Sequence, residues 1–290
     1  MIRALIKAMR LKQWPKNGFV LAALIFDVQF LVLPSVLRSV AGMLLFCLLS
    51  SAVYLINDIF DIKADQQHPQ KRLRPIASGQ LPVPVAATAA ILFVVITLPL
   101  AWWLSPGFGI IAAAYFLVNL AYSQWLKHIP LIDVLVIAAG FVLRVAAGVT
   151  LITVERFSPW LYVVTTLLAL YLGFGKRRAE LTLLLHGANA HRRVLDGYTI
   201  PLLDQLITIV SGTTIVAYSL YTFSAPNLPE NHTMMLTIPF VLYGIFRYLY
   251  LIQVKEAGGA PEELLLSDRP LQATVILYGI AVMVIFALFD

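Results

Sequence analysis

The segment Asn57-Asp58-Ile59-Phe60-Asp61-Ile62-Lys63-Ala64-Asp65 gathers four oxygen-bearing side chains at the end of an apolar run. At 3.6 residues per helical turn, Asn57, Asp61 and Asp65 line one face, with Asp58 beside them. Oxygen ligands that only partly enclose a cation suit Mg²⁺, which keeps waters and binds through one or two carboxylates together with substrate phosphates. A diphosphate is the natural partner of such a face. An ordinary solvated helix end would use the same residue types. Against that stands the basic run that follows, Lys71, Arg72 and Arg74, whose arginines suit bidentate phosphate contacts.

Other polar residues carry two readings each. Tyr122 and Lys127 end an apolar run and serve either a site at that interface or an aromatic belt with a snorkelling lysine. Arg144 lies mid-span, where an arginine costs at least about 2.5 kcal/mol on insertion scales and turns to a cavity or a partner in the protein interior. It shares a helix face with Asp133, eleven residues earlier. Arg247, one turn from the end of its run, reads as a snorkelling side chain, and Asp268 as a helix cap. The five histidines show no metal-ligand spacing, and Cys47 reads as a packed apolar residue.

The elements that position these residues must be membrane helices. Of 290 residues, 60% are apolar and only 12% charged, against about 25% charged in a soluble chain. A single cysteine excludes an intramolecular disulfide framework. Nine runs are long and apolar enough to span, at 18–34, 36–56, 83–104, 107–126, 130–152, 159–175, 200–223, 233–253 and 271–289. Asp27 and Gln29 interrupt the first, and Pro99, Pro201 and Pro239 mark expected kinks. With nine spans, 17 of the 21 lysines and arginines fall on the N-terminal side of the membrane and two on the other. The positive-inside rule then places the N-terminus and the loops near 57–82, 124–130, 176–199 and 254–270 in the cytoplasm. The net charge of +6 is thus topological, and no nucleic-acid motif accompanies it. Neither a repeat nor a linker divides the chain, so residues 1–290 read as one integral domain.

The string NDIFDIKAD followed by RLRPIASG resembles the N-D-x-x-D-x-x-x-D signature and basic loop of the UbiA superfamily of intramembrane prenyltransferases. The resemblance implies an all-α bundle of about nine transmembrane helices with its active site on the cytoplasmic side. It also implies that Asn57, Asp58, Asp61 and Asp65 hold Mg²⁺ on a diphosphate, with the three aspartates catalytic. Members that use aromatic acceptors carry a second D-x-x-x-D pair after the sixth helix. Here that region reads GKRRAEL and then HRRVLDGYTIPLLDQ, in which Asp196 and Asp204 stand eight residues apart among basic residues.

The strings LKQWPKN, YSQWLKHIPLIDV, GKRRAEL and FRYLYLIQ with GGAPEELLLSDRPLQ, spread from Leu11 to Gln272, are similar to the decaprenyl-phosphate phosphoribosyltransferase branch. That likeness implies transfer of 5-phosphoribose from phosphoribosyl diphosphate to a polyprenyl phosphate in a bacterial inner membrane, serving the cell envelope. The implied substrate contacts are Lys16, Lys71, Arg72, Arg74, Tyr122, Lys127, Arg144, Lys176, Arg177, Glu180, Arg192 and Tyr198. A homo-oligomer is compatible with this reading. Two others stand beside it. A prenyltransferase with an aromatic acceptor would use the missing aspartate pair. A lipid flippase or transporter would spread ionisable residues through the depth of the membrane, whereas here they cluster at one face.

Overall fold

The structure is a computed structural model that describes residues 1–27, 29–68, 71–153, 159–185, 193–225, 228–255, 264–265 and 267–289. Among these residues every regular element is helical. Seven helices are long and apolar enough to cross a membrane, so the protein is a multi-pass, all-α membrane protein. The chain resolves into two compact units, Met1–Glu155 and Arg156–Asp290.

The first unit begins with a short helix, α1 (Ile2–Ala8), a 3-10 segment Leu11–Leu21, and α2 (Ala22–Phe26). The long helix α3 (Leu33–Phe60) and the short α4 (Ile62–Gln67) follow. Three spanning helices complete the unit: α5 (Val83–Leu104), α6 (Pro106–Gln124) and α7 (Ile132–Val149). Helix α3 packs on α5, α6 and the 3-10 segment, and α7 packs on α6 and that same segment. Phe46, Leu49, Phe108, Tyr115, Ala147 and Leu151 form the main core. Phe46 meets the rings of Phe108 and Tyr115 at 5.5 and 5.1 Å. A second core joins Ala8 of α1, Leu55 of α3, Ala86 and Ala90 of α5, and Ile76 and Leu81 of the intervening loop.

The expected first span, 18–34, is not a continuous helix. The polar pair Asp27 and Gln29 ends the apolar run. Gln29 is drawn into side-chain bonds with Asp27 at 3.0 Å and Ser35 at 2.7 Å. What remains is a 3-10 segment laid tightly on α7, where a Cβ at Gly148 would overlap the Val20 carbonyl. The expected second span, in contrast, is longer than its apolar run and carries the Asn57–Phe60 turn as regular helix.

The second unit contains α8 (Pro159–Leu185), α9 (Ile200–Ser224), α10 (Ile238–Gln253) and α11 (Arg269–Phe289). Helix α8 packs along α9, and α10 along α11. Lys176, Arg177, Arg178 and Glu180, expected in a loop, lie on α8, which continues past its apolar part to Leu185. Pro201 and Pro239 produce no mid-helix kink. Each sits in the first turn of its helix, where the missing N–H has no intrahelical partner to lose.

Candidate active site

Helix α3 and the α3–α4 junction preserve the spacing that the sequence suggested. Regular helix ends at Phe60, and Asp61 links the two helices with φ −89° and ψ 6°. The i to i+4 ladder nevertheless runs through the junction: Asp61 N donates to the Asn57 carbonyl at 2.9 Å and Asp65 N to the Asp61 carbonyl at 2.8 Å. Asn57, Asp61 and Asp65 therefore stay one turn apart on a common face. Asp58 and Asp65 are buried, and the Asp61 side chain is 28% exposed.

Each carboxylate meets a cation. Arg10 Nη2 donates to Asp58 Oδ1 at 2.5 Å, and Arg74 Nη1 reaches the same oxygen at 3.1 Å. Arg74 Nη1 also donates to Asp65 Oδ2 at 2.6 Å, bridging the two buried aspartates. Lys127 Nζ donates to Asp61 Oδ1 at 2.7 Å. Lys127 thus reaches the carboxylate face.

Local structure explains why these cations arrive. Arg74 opens a turn in which Ser78 N donates to the Arg74 carbonyl and Leu81 N to the Pro75 carbonyl, at 2.9 and 2.8 Å. Gly79 takes φ +76° in that turn, a conformation most side chains resist. Buried Ile76 and Leu81 fasten the turn to the second core. Arg10 is carried by the junction between α1 and the 3-10 segment, held by Ala8 on one side. On the other side Trp14 Nε1 donates to Ser51 Oγ at 3.1 Å, and buried Asn17 donates to Ser50 Oγ at 3.2 Å. Trp14 and Asn17 of the LKQWPKN string therefore act as anchors for the N-terminal segment.

Arg144 belongs to that scaffold. Its Nε donates to Asn17 Oδ1 at 2.8 Å, Nη1 to the Gly140 carbonyl at 2.7 Å, and Nη2 to the Tyr115 hydroxyl at 2.8 Å. Its guanidinium lies 4.7 Å from the Tyr115 ring centroid. This buried cation turns to the interior, as its mid-span position required, but its guanidinium nitrogens are occupied by the 3-10 segment, α6 and α7.

The remaining expected contacts distribute as follows. Lys71 is half-buried and Arg72 exposed on the 3-10 turn Lys71–Leu73, where Lys71 N donates to His68 Nδ1 at 3.3 Å. Burial and the nearby Lys71 cation push the His68 imidazole below its ordinary pKa, favouring the neutral acceptor form. Lys16 and Tyr122 are half-buried in the first unit. In the second unit Arg177 is fully buried against Glu180, Lys176 is half-buried and Tyr198 buried. Arg192 lies outside the described residues. Asp204 is held by Arg178 Nε at 2.6 Å, a pair that the sequence reading missed. Arg247 forms a forked pair with Asp268, Nε to Oδ1 at 3.1 Å and Nη2 to Oδ2 at 2.8 Å. Asp268 Oδ1 also accepts from Leu271 N at 2.9 Å, the expected cap on α11.

The site chemistry fits a hard divalent cation shared with a substrate. Asn57, Asp61 and Asp65 supply only oxygen donors. Among the described residues no three His, Cys, Asp or Glu side chains converge to hold a metal by themselves. Mg²⁺, which takes few protein ligands and completes its shell from phosphates and water, matches such an open set.

The family model described as the UbiA prenyltransferase family matches residues 19–264. The decaprenyl-phosphate phosphoribosyltransferase of Mycolicibacterium smegmatis is 35% identical over 94% of this chain and 89% of its own length. Its namesake in Corynebacterium glutamicum is 32% identical over 94% of this chain and 83% of its own. Among solved structures, a UbiA homolog from Archaeoglobus fulgidus bound to GPP and Mg²⁺ superposes with a TM-score of 0.73 at 17% identity, covering 98% of this chain and 100% of that one. Sequence and fold together establish that the chain belongs to the UbiA prenyltransferase family.

Proposed function

We propose that the protein transfers 5-phosphoribose from phosphoribosyl diphosphate to a polyprenyl phosphate, releasing diphosphate, with Mg²⁺ as cofactor. The observation that carries the choice of substrates is the similarity, spanning 94% of the chain, to relatives named decaprenyl-phosphate phosphoribosyltransferase. The cations on the carboxylate face support the same chemistry, because the two substrates together bring a diphosphate and two phosphate monoesters.

In this reading an oxygen of the lipid phosphate attacks the anomeric carbon of the ribose while the bond from that carbon to the diphosphate breaks. A phosphate monoester is already anionic at neutral pH, so the chain needs no strong general base. Asn57, Asp61 and Asp65 would hold Mg²⁺, which when bound offsets charge on the departing diphosphate. Lys127 and Arg74, placed on those carboxylates, present N–H donors to the same anion and strengthen their hold as its charge grows. Lys16, Lys71, Arg72 and Tyr122 remain assigned to substrate contact. In the second unit Lys176, Arg192 and Tyr198 do too. Arg177 and Glu180 act there as a pair.

The runner-up, transfer of a prenyl chain to an aromatic acceptor, asks for a second aspartate pair of D-x-x-x-D spacing, whereas Asp196 and Asp204 stand eight residues apart. The active site is proposed to face the cytoplasm of a bacterial inner membrane. Diphosphate release by the purified chain tests the reaction: it should require both phosphoribosyl diphosphate and polyprenyl phosphate, and cease when Mg²⁺ is chelated. Release that proceeds equally without the lipid phosphate contradicts the reading.

A further inference from the structure

Beside the carboxylate face, and wholly within the first unit, a cleft of about 290 Å³ is lined by Lys7, Arg10, Asp58 and Arg74, with Ala8, Leu73 and Pro75. Asp58 stands two turns before Asp65, so the two carboxylates lie on neighbouring sides of the helix end and share Arg74 Nη1, at 3.1 and 2.6 Å. Three cations line it against one carboxylate, so it keeps a positive surplus.

The arrangement is built rather than incidental. A single buried oxygen, Asp58 Oδ1, accepts from both Arg10 and Arg74, which brings two guanidinium groups together. Each guanidinium carries five N–H donors, and Arg10 commits one of them to Asp58. Arg10 also has a left-handed backbone, φ 55° and ψ 53°, which is costly for a residue with a side chain and is concentrated at functional sites. That conformation sets its guanidinium over the Tyr54 ring, 4.9 Å from the centroid. Lys7, one turn back on α1, is exposed at the rim. The volume lies at the small end for ligand pockets, about 300–1,000 Å³, and suits a charged head group rather than a prenyl chain.

We propose that this cleft is a phosphate-monoester subsite, in which Lys7 and Arg10 join Arg74 in gripping the phosphate. Asp58 is its positioning residue, holding the two arginines together instead of ligating metal. The identity of the monoester rests on the proposed function: it is either the 5-phosphate of the ribose donor or the phosphate of the lipid acceptor.

The test uses the full chain in nanodiscs with Mg²⁺ chelated, and two probes that lack a diphosphate, ribose 5-phosphate and farnesyl phosphate. Lys7→Ala should weaken binding of one probe about tenfold and Arg10→Ala about tenfold to a hundredfold, the range for one charge-assisted hydrogen bond. Arg10→Lys should recover part of the loss, and Lys63→Ala, on α4, should change nothing. Dependence of ribose 5-phosphate binding assigns the cleft to the donor. Dependence of farnesyl phosphate binding assigns it to the acceptor. In turnover, Asp58→Asn should raise KM for that same substrate and leave kcat within a few-fold. Equal binding of both probes to wild type and to the Lys7 and Arg10 variants overturns the proposal, as does failure of both probes to bind wild type. A kcat collapse at unchanged KM in Asp58→Asn returns Asp58 to the metal set and overturns its positioning role. Lys7-dependent and Arg10-dependent binding in a chain that shows no phosphoribosyl transfer would keep the cleft and discard the substrate reading.

Discussion

Asp61 and Asp65 stand one turn apart and differ in what they hold: half-exposed Asp61 meets Lys127, and buried Asp65 meets Arg74. Asp61→Ala and Asp65→Ala should each lower kcat about 10²-fold or more, the scale for losing one charge-stabilising element. Folding of the Asp61 variant should be unchanged by circular dichroism and gel filtration, because that residue sits at the rim. Arg144→Ala should behave in the opposite way. It strands the Asn17 amide oxygen and the Tyr115 hydroxyl, at about 1–3 kcal/mol for each group left without a partner. Its signature is a lowered Tm in detergent with KM for both substrates unchanged in the surviving enzyme. These roles were legible in the sequence to different degrees. The 57, 61, 65 spacing is local, and a helix displays it directly. The pairing of Arg10 with Asp58 spans 48 residues, and nothing in a basic N-terminus separates one arginine at a carboxylate from others that set topology.

Among the elements, spans such as 83–104 and 107–126 match α5 and α6 closely, because a long apolar run with proline at its first turn has one stable outcome in lipid. The segment 11–31 was not legible in that way. Its apolar residues suggest a span, but Trp14, Asn17 and Gln29 spend their polar groups on α3, the α3 N-terminus and the Thr153 carbonyl beyond α7, and helix gives way to 3-10 turns. The α11 N-terminus supplies a pH prediction. The hydrogen bond from Arg247, with the Leu271 amide, holds the Asp268 carboxyl below its ordinary pKa despite partial burial. A carboxylate whose folded pKa is depressed stabilises the fold above its unfolded value, about 3.9, and that contribution disappears as pH falls through the folded pKa. Hydrogen exchange at the Leu271 amide should accordingly lose protection below about pH 4 relative to pH 6 in wild type. Asp268→Asn should show the weaker protection at both values.

At the scale of the molecule, the placement of lysines and arginines in the sequence predicts a cytoplasmic site, and a cysteine at Gln67, on the exposed end of α4, reports it. In intact cells Gln67→Cys should resist a membrane-impermeant thiol reagent and react after permeabilisation. Reaction in intact cells would invert the topology. The all-helical class and most spans were readable from composition, because lipid permits few backbone solutions. The division into two compact units was not, since no linker marks residue 155. The central claim concerns which group moves, and a double label decides it. Phosphoribosyl diphosphate carrying ³²P at the 5-phosphate, incubated with the purified chain, Mg²⁺ and decaprenyl phosphate, should deliver its label to the organic phase. Donor labelled in the diphosphate should leave its label in the aqueous phase, and Asp61→Ala should abolish the difference. Label that stays aqueous in both cases, in a preparation that instead transfers a prenyl chain from prenyl diphosphate to an aromatic acid, would contradict the account.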